Sequence, residues 1–477
     1  MSSADTTALD RFVDTDIGRP LLGLVYGRRR IGKSTLLVNR VGERSGFYFE
    51  ATRAESPVQL DRLGLALGEY LGVGRIALSS WEEAIRALLN LGEKKPTLVV
   101  LDEFGHIIES DPSIESLLAV ALGPNEMRHA TSRCRLILCG SAVAMMRALS
   151  TGEAPLRGRA GLELVMQPDD FRVASTRLSA NADFDVRVRV FSVIGGVVGY
   201  ATDMVNFDLP TTSNDFARWV TERVLSPSST LLREASTLLS EDPALGGRSA
   251  LLHHSILGAI ANGSITAGEI AKRVGRPVAN IDPVLRRLIE SGFVVRHEDP
   301  IRKHRPMYAL ADPFLQFHYA VIEPHGAALR SRDLMVLWND RLGATFNSQV
   351  RGPVFEEMAR QWILKFASDE TINCRDHIGP SIVRLDGVSH EIDLVVAKSG
   401  SDPVDRTVVA LGEAKSGETL TTRHLKTLNR IRDALGTRAS HAKLFLFGQR
   451  FDDALQHAAD ARSDVELVDL ERLYFGS

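Results

Sequence analysis

Two sets of residues in this chain have the types and spacings that phosphate chemistry demands. The first is Gly27-Arg28-Arg29-Arg30-Ile31-Gly32-Lys33-Ser34, continued by Thr35. Glycines in such a loop let backbone N–H groups turn toward a phosphate, and a helix opening at its end adds a favourable dipole. In this pattern Lys33 reaches the β- and γ-phosphates of a nucleotide, and the Ser34 hydroxyl holds Mg²⁺. The expected partners are Asp102 and Glu103, which close the apolar run Thr97-Leu98-Val99-Val100-Leu101. Asp102 is suited to bind Mg²⁺ through its waters, and Glu103 to polarise the water that attacks the γ-phosphate. Ser141 follows the apolar run Arg135-Leu136-Ile137-Leu138-Cys139 and Gly140. It is placed to sense the γ-phosphate, although the same position equally suits a helix cap for Ala142 onward.

The second set is Asp393, Glu413 and Lys415. Asp393 lies in the strand-like run from His390 to Val396, and Glu413 and Lys415 stand two apart in the run from Thr407 to Lys415. Residues two apart on a strand share a face, so carboxylate and ammonium meet at one site. Two carboxylates hold Mg²⁺ or Mn²⁺ by oxygen, and the metal lowers the pKa of an attacking water. Lys415 would orient that water or stabilise charge on the phosphate. In order and element type the set matches the PD-(D/E)XK nuclease constellation. Glu356, on a helix from Pro353 to Ser368, completes the metal shell as in resolvase-like members of that superfamily.

Positioning these residues requires a definite framework. The run Leu21–Tyr26 reads as a strand, Thr35–Arg44 as a helix, Phe47–Phe49 as a short strand, and a long helical region extends through Trp81 to Leu91. With the runs ending at Asp102, Cys139 and Met166, this alternation predicts a mainly parallel sheet covered on both faces, with phosphates at the carboxyl ends of its strands. Helices follow from about Asp170 to Leu245. Beyond them Leu251–Ala261 is helical, Thr266-Ala267-Gly268-Glu269 is a capping box opening a second helix that ends near Gly275, and a third runs from about Ile281 to Ser291 with Pro283 in its first turn. Two β-rich runs, Phe293–Arg296 and Met307–Leu310, flank a basic tip of Arg302, Lys303, His304 and Arg305. This order describes a winged helix-turn-helix.

Gly27–Ser34, Leu101-Asp102-Glu103-Phe104, Leu138-Cys139-Gly140-Ser141 and Pro155-Leu156-Arg157-Gly158-Arg159 together resemble the archaeal-type ATPase family. That family belongs to the AAA+ class and is related to signal-transduction NTPases with numerous domains. The resemblance covers nearly the whole chain, including the junction Asp312-Pro313-Phe314-Leu315-Gln316-Phe317. It implies ATP as ligand, and an arginine just before the fifth strand, Arg157 or Arg159 here, that reaches a neighbouring subunit's nucleotide in a homo-oligomer. Two features depart from the family. Only Leu9-Asp10-Arg11-Phe12 stands for its N-terminal segment, and its lid signature Gly-Gly-x-Pro reads Gly195-Gly196-Val197-Val198.

The expected fold class is therefore α/β: a P-loop AAA+ ATPase core (residues 1–169), a helical lid (170–245), a winged helix-turn-helix (246–325) and a C-terminal restriction-endonuclease-like domain (326–477). A length of 477 residues suits such a multidomain chain. A net charge of −3 argues against a chain coated in nucleic acid, yet residues 250–320 carry nine Lys and Arg against six Asp and Glu, enough for phosphate contact with DNA. Cys134, Cys139 and Cys374 form no CxxC pair and read as buried thiols of a reducing compartment. No apolar run approaches membrane-spanning length, so a cytoplasmic location without membrane contact is expected. Two functions remain in view. One is an ATP-hydrolysing protein that binds DNA and cuts it with a divalent metal, ATP controlling access. The other is a nucleotide-driven switch or DNA-binding regulator whose C-terminal domain is inactive.

Overall fold

The computed structural model describes residues 3–15, 17–123, 132–242, 245, 250–400 and 402–477, so the expected boundary after residue 245 lies outside them. The chain forms two compact units, Met1–Pro168 with Leu238–Gly247, and Asp169–Thr237 with Arg248–Ser477.

The first unit is built on a parallel sheet of β1 (Leu21–Tyr26), β2 (Phe47–Glu50), β3 (Thr97–Asp102), β4 (Cys134–Gly140) and β5 (Ala160–Val165), in the order β2-β3-β4-β1-β5. Every residue of β3 and β4 is buried, as a parallel sheet with both faces covered requires. On one face Leu22, Leu24, Leu101, Leu136 and Leu138 pack with Leu63 and Leu67 of the helix Ser56–Leu71 and Trp81 and Leu88 of the helix Trp81–Asn90. The expected long helical region is thus two helices. Gly72 ends the first in a left-handed conformation, and the Ser80 hydroxyl caps the second by accepting from Glu83 N at 3.2 Å. On the other face the helix Ser3–Asp14 lays Phe12 on Gly23, where an added Cβ would come within 3.2 Å of its ring. Arg135, fully buried at the start of β4, fastens the segment after this helix by donating to the carbonyls of Thr15 (3.1 Å) and Arg19 (3.0 Å).

The second unit opens with helices that include Phe171–Leu178, Phe184–Ile194 and Ser213–Trp219. Three helices follow, Ala250–Ala261, Ala267–Val274 and Val278–Glu290, and then an antiparallel pair, β6 (Val294–His297) with β7 (Met307–Leu310). The capping box forms: Thr266 Oγ1 accepts from Glu269 N (3.3 Å), and Glu269 Oε2 accepts from Thr266 N (3.0 Å). Pro283 is not in a first turn. The third helix starts at Val278, which puts Pro283 inside it, where the ring withholds one backbone donor.

A mixed sheet in the order β12-β11-β10-β9-β8 completes this unit. Its strands are β8 (His377–Leu385), β9 (Val388–Ala397), β10 (Val408–Leu420), β11 (Lys443–Phe451) and β12 (Val465–Val468). β8, β9 and β10 pair antiparallel, while β10, β11 and β12 pair parallel. The helix Gly352–Lys365 lies on one face through Phe355, Trp362 and Ile363, against Leu394, Phe445 and Phe447. The helices Thr422–Ala434 and Asp453–Asp460 cover the other through Leu425, Leu428 and Leu455. Cys134 and Cys139 are buried free thiols, whereas Cys374 is only half-buried. Among the described residues no helix is long and apolar enough to cross a membrane.

Candidate functional site

The turn from β1 into the helix Lys33–Arg44 has the conformation a phosphate loop needs. Gly27 and Gly32 have φ of 157° and 96°, and at Gly27 a Cβ would meet the Met166 carbonyl at 2.4 Å. Only glycine fits such a position. Arg30 also adopts a positive φ, 66°, and Arg29 pairs with Glu241. Lys33 is buried, and its ammonium donates to the Arg28 carbonyl at 3.0 Å, which curls the loop over its own lysine. Burial pushes the Lys33 pKa down, against the pull of Glu103 and Asp102. Ser34 and Thr35 stand exposed at the helix start.

The carboxyl ends of β3 and β4 bring the other expected residues to this loop. Asp102 is buried at the end of β3; its Oδ2 accepts from the Tyr48 hydroxyl (2.6 Å) and its Oδ1 from Glu103 N (2.8 Å). Burial works against its charge, yet hydrogen bonds from Cys139, Tyr48, Ser34 and the Glu103 N–H hold its pKa below the usual range. Glu103 takes a left-handed φ of 50° just after β3, and its Oε2 accepts from the Ser141 hydroxyl at 3.2 Å. Lys33, Ser34, Asp102, Glu103 and Ser141 therefore form one cluster. Two members were not expected. Tyr48 comes from β2, and burial raises its hydroxyl pKa. Cys139, the last side chain of β4 before Gly140, is a buried thiol whose pKa burial raises well above the ordinary value.

Arg157 and Arg159 stand apart from this cluster. Both are exposed in the turn before β5, and their hydrogen bonds run to the carbonyls of Gly152 (2.9 Å) and Leu122 (3.3 Å).

In the second unit β9 and β10 bring Asp393, Glu413 and Lys415 together. The Lys415 ammonium lies between Asp393 Oδ2 (3.1 Å) and Glu413 Oε1 (2.8 Å), and Asp393 Oδ2 also accepts from Ala414 N (2.8 Å). Glu356, from the helix Gly352–Lys365, is close enough that burial first and the Asp393 charge second push its pKa up to about 8. The same two causes raise Glu413 and Glu391. Glu391, two residues before Asp393, is a carboxylate the sequence reading passed over; its spacing on β9 was the available signal. Against burial, the charges of Asp393 and Glu413 raise Lys415. Arg360, also unexpected, is buried beside them; its Nη1 donates to the Asp393 carbonyl (2.7 Å) and its Nε to Glu357 Oε2 (2.9 Å). Among the described residues no three His, Cys, Asp or Glu side chains are spaced to hold a metal ion. Here the lysine ammonium fills the space between two of the carboxylates.

The basic tip between β6 and β7 rests on the same unit's sheet. Lys303 pairs with Asp402, Ser381 Oγ donates to both Asp299 oxygens (3.0 Å each), and Arg406 Nη1 donates to the Pro300 carbonyl (3.2 Å). Ile301 is buried in one core with Val383 and Leu385.

No family model matches the chain. An uncharacterised protein of Methanocaldococcus jannaschii is 24% identical over 349 residues, 72% of either chain. Among solved structures, the Walker-type ATPase paby2304 of Pyrococcus abyssi is similar at a TM-score of 0.50 and 19% identity, over 67% of this chain and 95% of that one. The ORC2 protein of Aeropyrum pernix, solved as ADPNP–ADP complexes, gives a TM-score of 0.40 at 17% identity over 69% of this chain and 92% of its own. The likeness to the Pyrococcus protein defines the fold class, an α/β chain whose five-stranded parallel sheet matches a Walker-type ATPase core.

Proposed function

We propose that the chain binds ATP with Mg²⁺ at the loop 27–35 and hydrolyses it, as an ATPase of the AAA+ class. The observation that carries this reading is the convergence of Lys33, Ser34, Asp102, Glu103 and Ser141 on one sheet edge. The Pyrococcus neighbour is itself named an ATPase. Loop N–H groups and Lys33 would hold the β- and γ-phosphates, Lys33 turning from the Arg28 carbonyl to the ligand. Ser34 and Asp102 are neighbouring hard oxygen donors, a fit for Mg²⁺, which when bound neutralises phosphate charge. Glu103 takes the proton side of the attacking water, and Ser141 orients Glu103. Phosphate release by purified protein, compared with Lys33→Ala and Glu103→Gln, tests this. Release that persists in Lys33→Ala refutes it.

A second activity is favoured by the Asp393, Glu413, Lys415 and Glu356 cluster. We assign residues 170–245 to a lid, 246–325 to a winged helix-turn-helix and 326–477 to a PD-(D/E)XK nuclease-like domain that cleaves DNA. Asp393 and Glu413 offer hard oxygens that suit Mg²⁺ or Mn²⁺ once Lys415 swings aside, and Glu356 and Glu391, whose charge burial and Asp393 disfavour, would join them on giving up their protons to the cation. Such a cation would supply an activated water. Lys415 would then stabilise charge on the phosphate, and nucleotide turnover would control access. A cleavage assay on single-stranded, duplex and branched DNA with Mg²⁺ or Mn²⁺ tests it. Intact DNA in every arm leaves the nucleotide-driven switch as the better reading.

A further inference from the structure

Of the two cations at the second site Arg360 is much the more deeply buried, its side chain 9% exposed against 31% for Lys415. Its guanidinium makes two bonds: Nη1 holds the Asp393 backbone carbonyl of β9 at 2.7 Å, while Nε holds Glu357 Oε2, three residues back on the same helix, at 2.9 Å. A guanidinium presents donors in a fixed planar fork, so the Glu357 bond holds the fork on its own helix and the Asp393 bond ties that helix, Gly352–Lys365, to the middle of β9. Glu357 has a further neighbour: His297 Nε2, at the end of β6, lies 3.7 Å from the same Oε2. The hairpin that begins with β6 is fastened to β8 by the Asp299–Ser381 hydrogen bonds. A continuous line of contacts thus runs from the hairpin through Glu357 and Arg360 to the residue that bears the central carboxylate.

We propose that Arg360, braced by Glu357, is the positioning residue that fixes Asp393 against Glu356 for phosphodiester cleavage. The proposal rests on the nuclease reading of this site. Arg360 touches the Asp393 main chain, not its carboxylate, so it governs where that carboxylate stands rather than serving as a ligand. Lysine in its place keeps one charge but loses the fork, because a single ammonium on a flexible stem cannot hold both partners at these angles. Glutamine at Glu357 keeps the shape and weakens the brace.

The test uses the full-length chain and three substitutions: Arg360→Lys, Glu357→Gln and, as reference, Asp393→Asn. Mn²⁺ uptake is followed by calorimetry without nucleotide, kcat and KM by DNA cleavage, and folding by thermal melting. Arg360→Lys should stay folded and lower kcat by about 10–100-fold, the usual scale for a residue that orients a metal-site ligand, with KM little changed. Glu357→Gln should fall between it and wild type, so the inference stays testable even if the arginine variant does not fold. Unchanged kcat in both folded variants, with Asp393→Asn inactive, overturns the inference alone. Wild-type protein that takes up no Mn²⁺ and cuts no DNA overturns the nuclease reading, and this inference with it.

Discussion

The Ser141 hydroxyl donates to Glu103 Oε2 at 3.2 Å, so the residue after β4 orients the carboxylate after β3. Of the two roles open to Ser141 in the sequence, the neighbouring helix does not take up the cap. Val143–Ala148 begins behind Ala142 with no side-chain cap, which leaves the Ser141 hydroxyl for Glu103. Glu103 itself stands at φ 50°, a conformation that costs about 1–3 kcal/mol for a residue with a Cβ and recurs where function fixes the backbone.

From this pair the first expectation follows. Glu103→Gln should bind ATP as wild type does and lose hydrolysis by about 10²–10⁴-fold, the range for removing a general base. Ser141→Ala should bind equally and lose about tenfold, one hydrogen bond to a charged group. Nucleotide binding and single-turnover hydrolysis separate the two effects. Normal hydrolysis by Glu103→Gln would show that another group is the base.

Tyr48 gives the second. Its hydroxyl is one of the bonds that keep Asp102 ionised, so Tyr48→Phe removes an orienting donor without opening a cavity. The Mg²⁺ concentration for half-maximal hydrolysis should rise by about tenfold, again one hydrogen bond to a charge, with the melting temperature nearly constant. A titration curve that overlays wild type would dismiss Tyr48 from the site.

What was legible in the sequence divides by distance along the chain. The loop 27–35 needs only its own spacing and the elements beside it, and Asp102 and Glu103 close a strand that is buried throughout. Tyr48 could not be read, because it meets Asp102 only through the parallel register that pairs Tyr48 with Val100 and Glu50 with Asp102. Arg360 reads as an ordinary charge on an amphipathic helix until β9 lies beneath it. β8 escaped because Gly379 and Pro380 interrupt its alternation and a bulge falls between Gly379 and Ser381. The hairpin tip could be read only as basic, because Asp402, the partner of Lys303, lies about a hundred residues further along the chain.

Arg157 and Arg159 carry the assembly expectation. Both are exposed, and among the described residues carbonyls of nearby turns hold them, a placement available to a neighbouring subunit. If either acts in trans, hydrolysis per subunit should rise with protein concentration, and an Arg→Ala subunit should depress the activity of wild-type subunits mixed with it. Activity proportional to concentration in a preparation that scatters light as a monomer throughout would remove the trans role.

Glu356 supplies a pH dependence. Its pKa is raised from 4.5 to about 8, burial being the larger cause and Asp393 the next. Between those values the folded chain keeps a proton that the unfolded chain has lost, so this group's stability is full below the lower value and is lost as pH rises through the upper one. Glu356→Gln cannot ionise. Without divalent metal it should melt at a higher temperature than wild type near about pH 9 and at a similar one near about pH 4. Equal melting at the alkaline end would mean that Glu356 is not held protonated.

The last expectation concerns which basic residues meet DNA. The hairpin tip, Arg302 to Arg305, is basic, but its Lys303 pairs with Asp402, and the flanking Asp299 and Ile301 are buried against β8. A lysine that neutralises a carboxylate of its own chain releases no counterion from a phosphate unless that pair first breaks. Lys272, Arg273 and Arg276, at the end of the helix Ala267–Val274 and in the turn after it, are exposed, whereas Arg286 on the next helix already pairs with Asp282 at 2.9 Å. Phosphate contact should therefore fall on the turn and not on Lys303. Replacing Lys272 and Arg276 together by alanine should reduce the salt dependence of duplex binding by about 1.8 in log–log slope, about 0.9 for each lost phosphate contact. Lys303→Ala should leave the slope unchanged while lowering the melting temperature. Fluorescence anisotropy with labelled duplex across a salt series reads both variants directly, and a slope lost in Lys303→Ala but kept in the double variant would return the DNA contact to the hairpin.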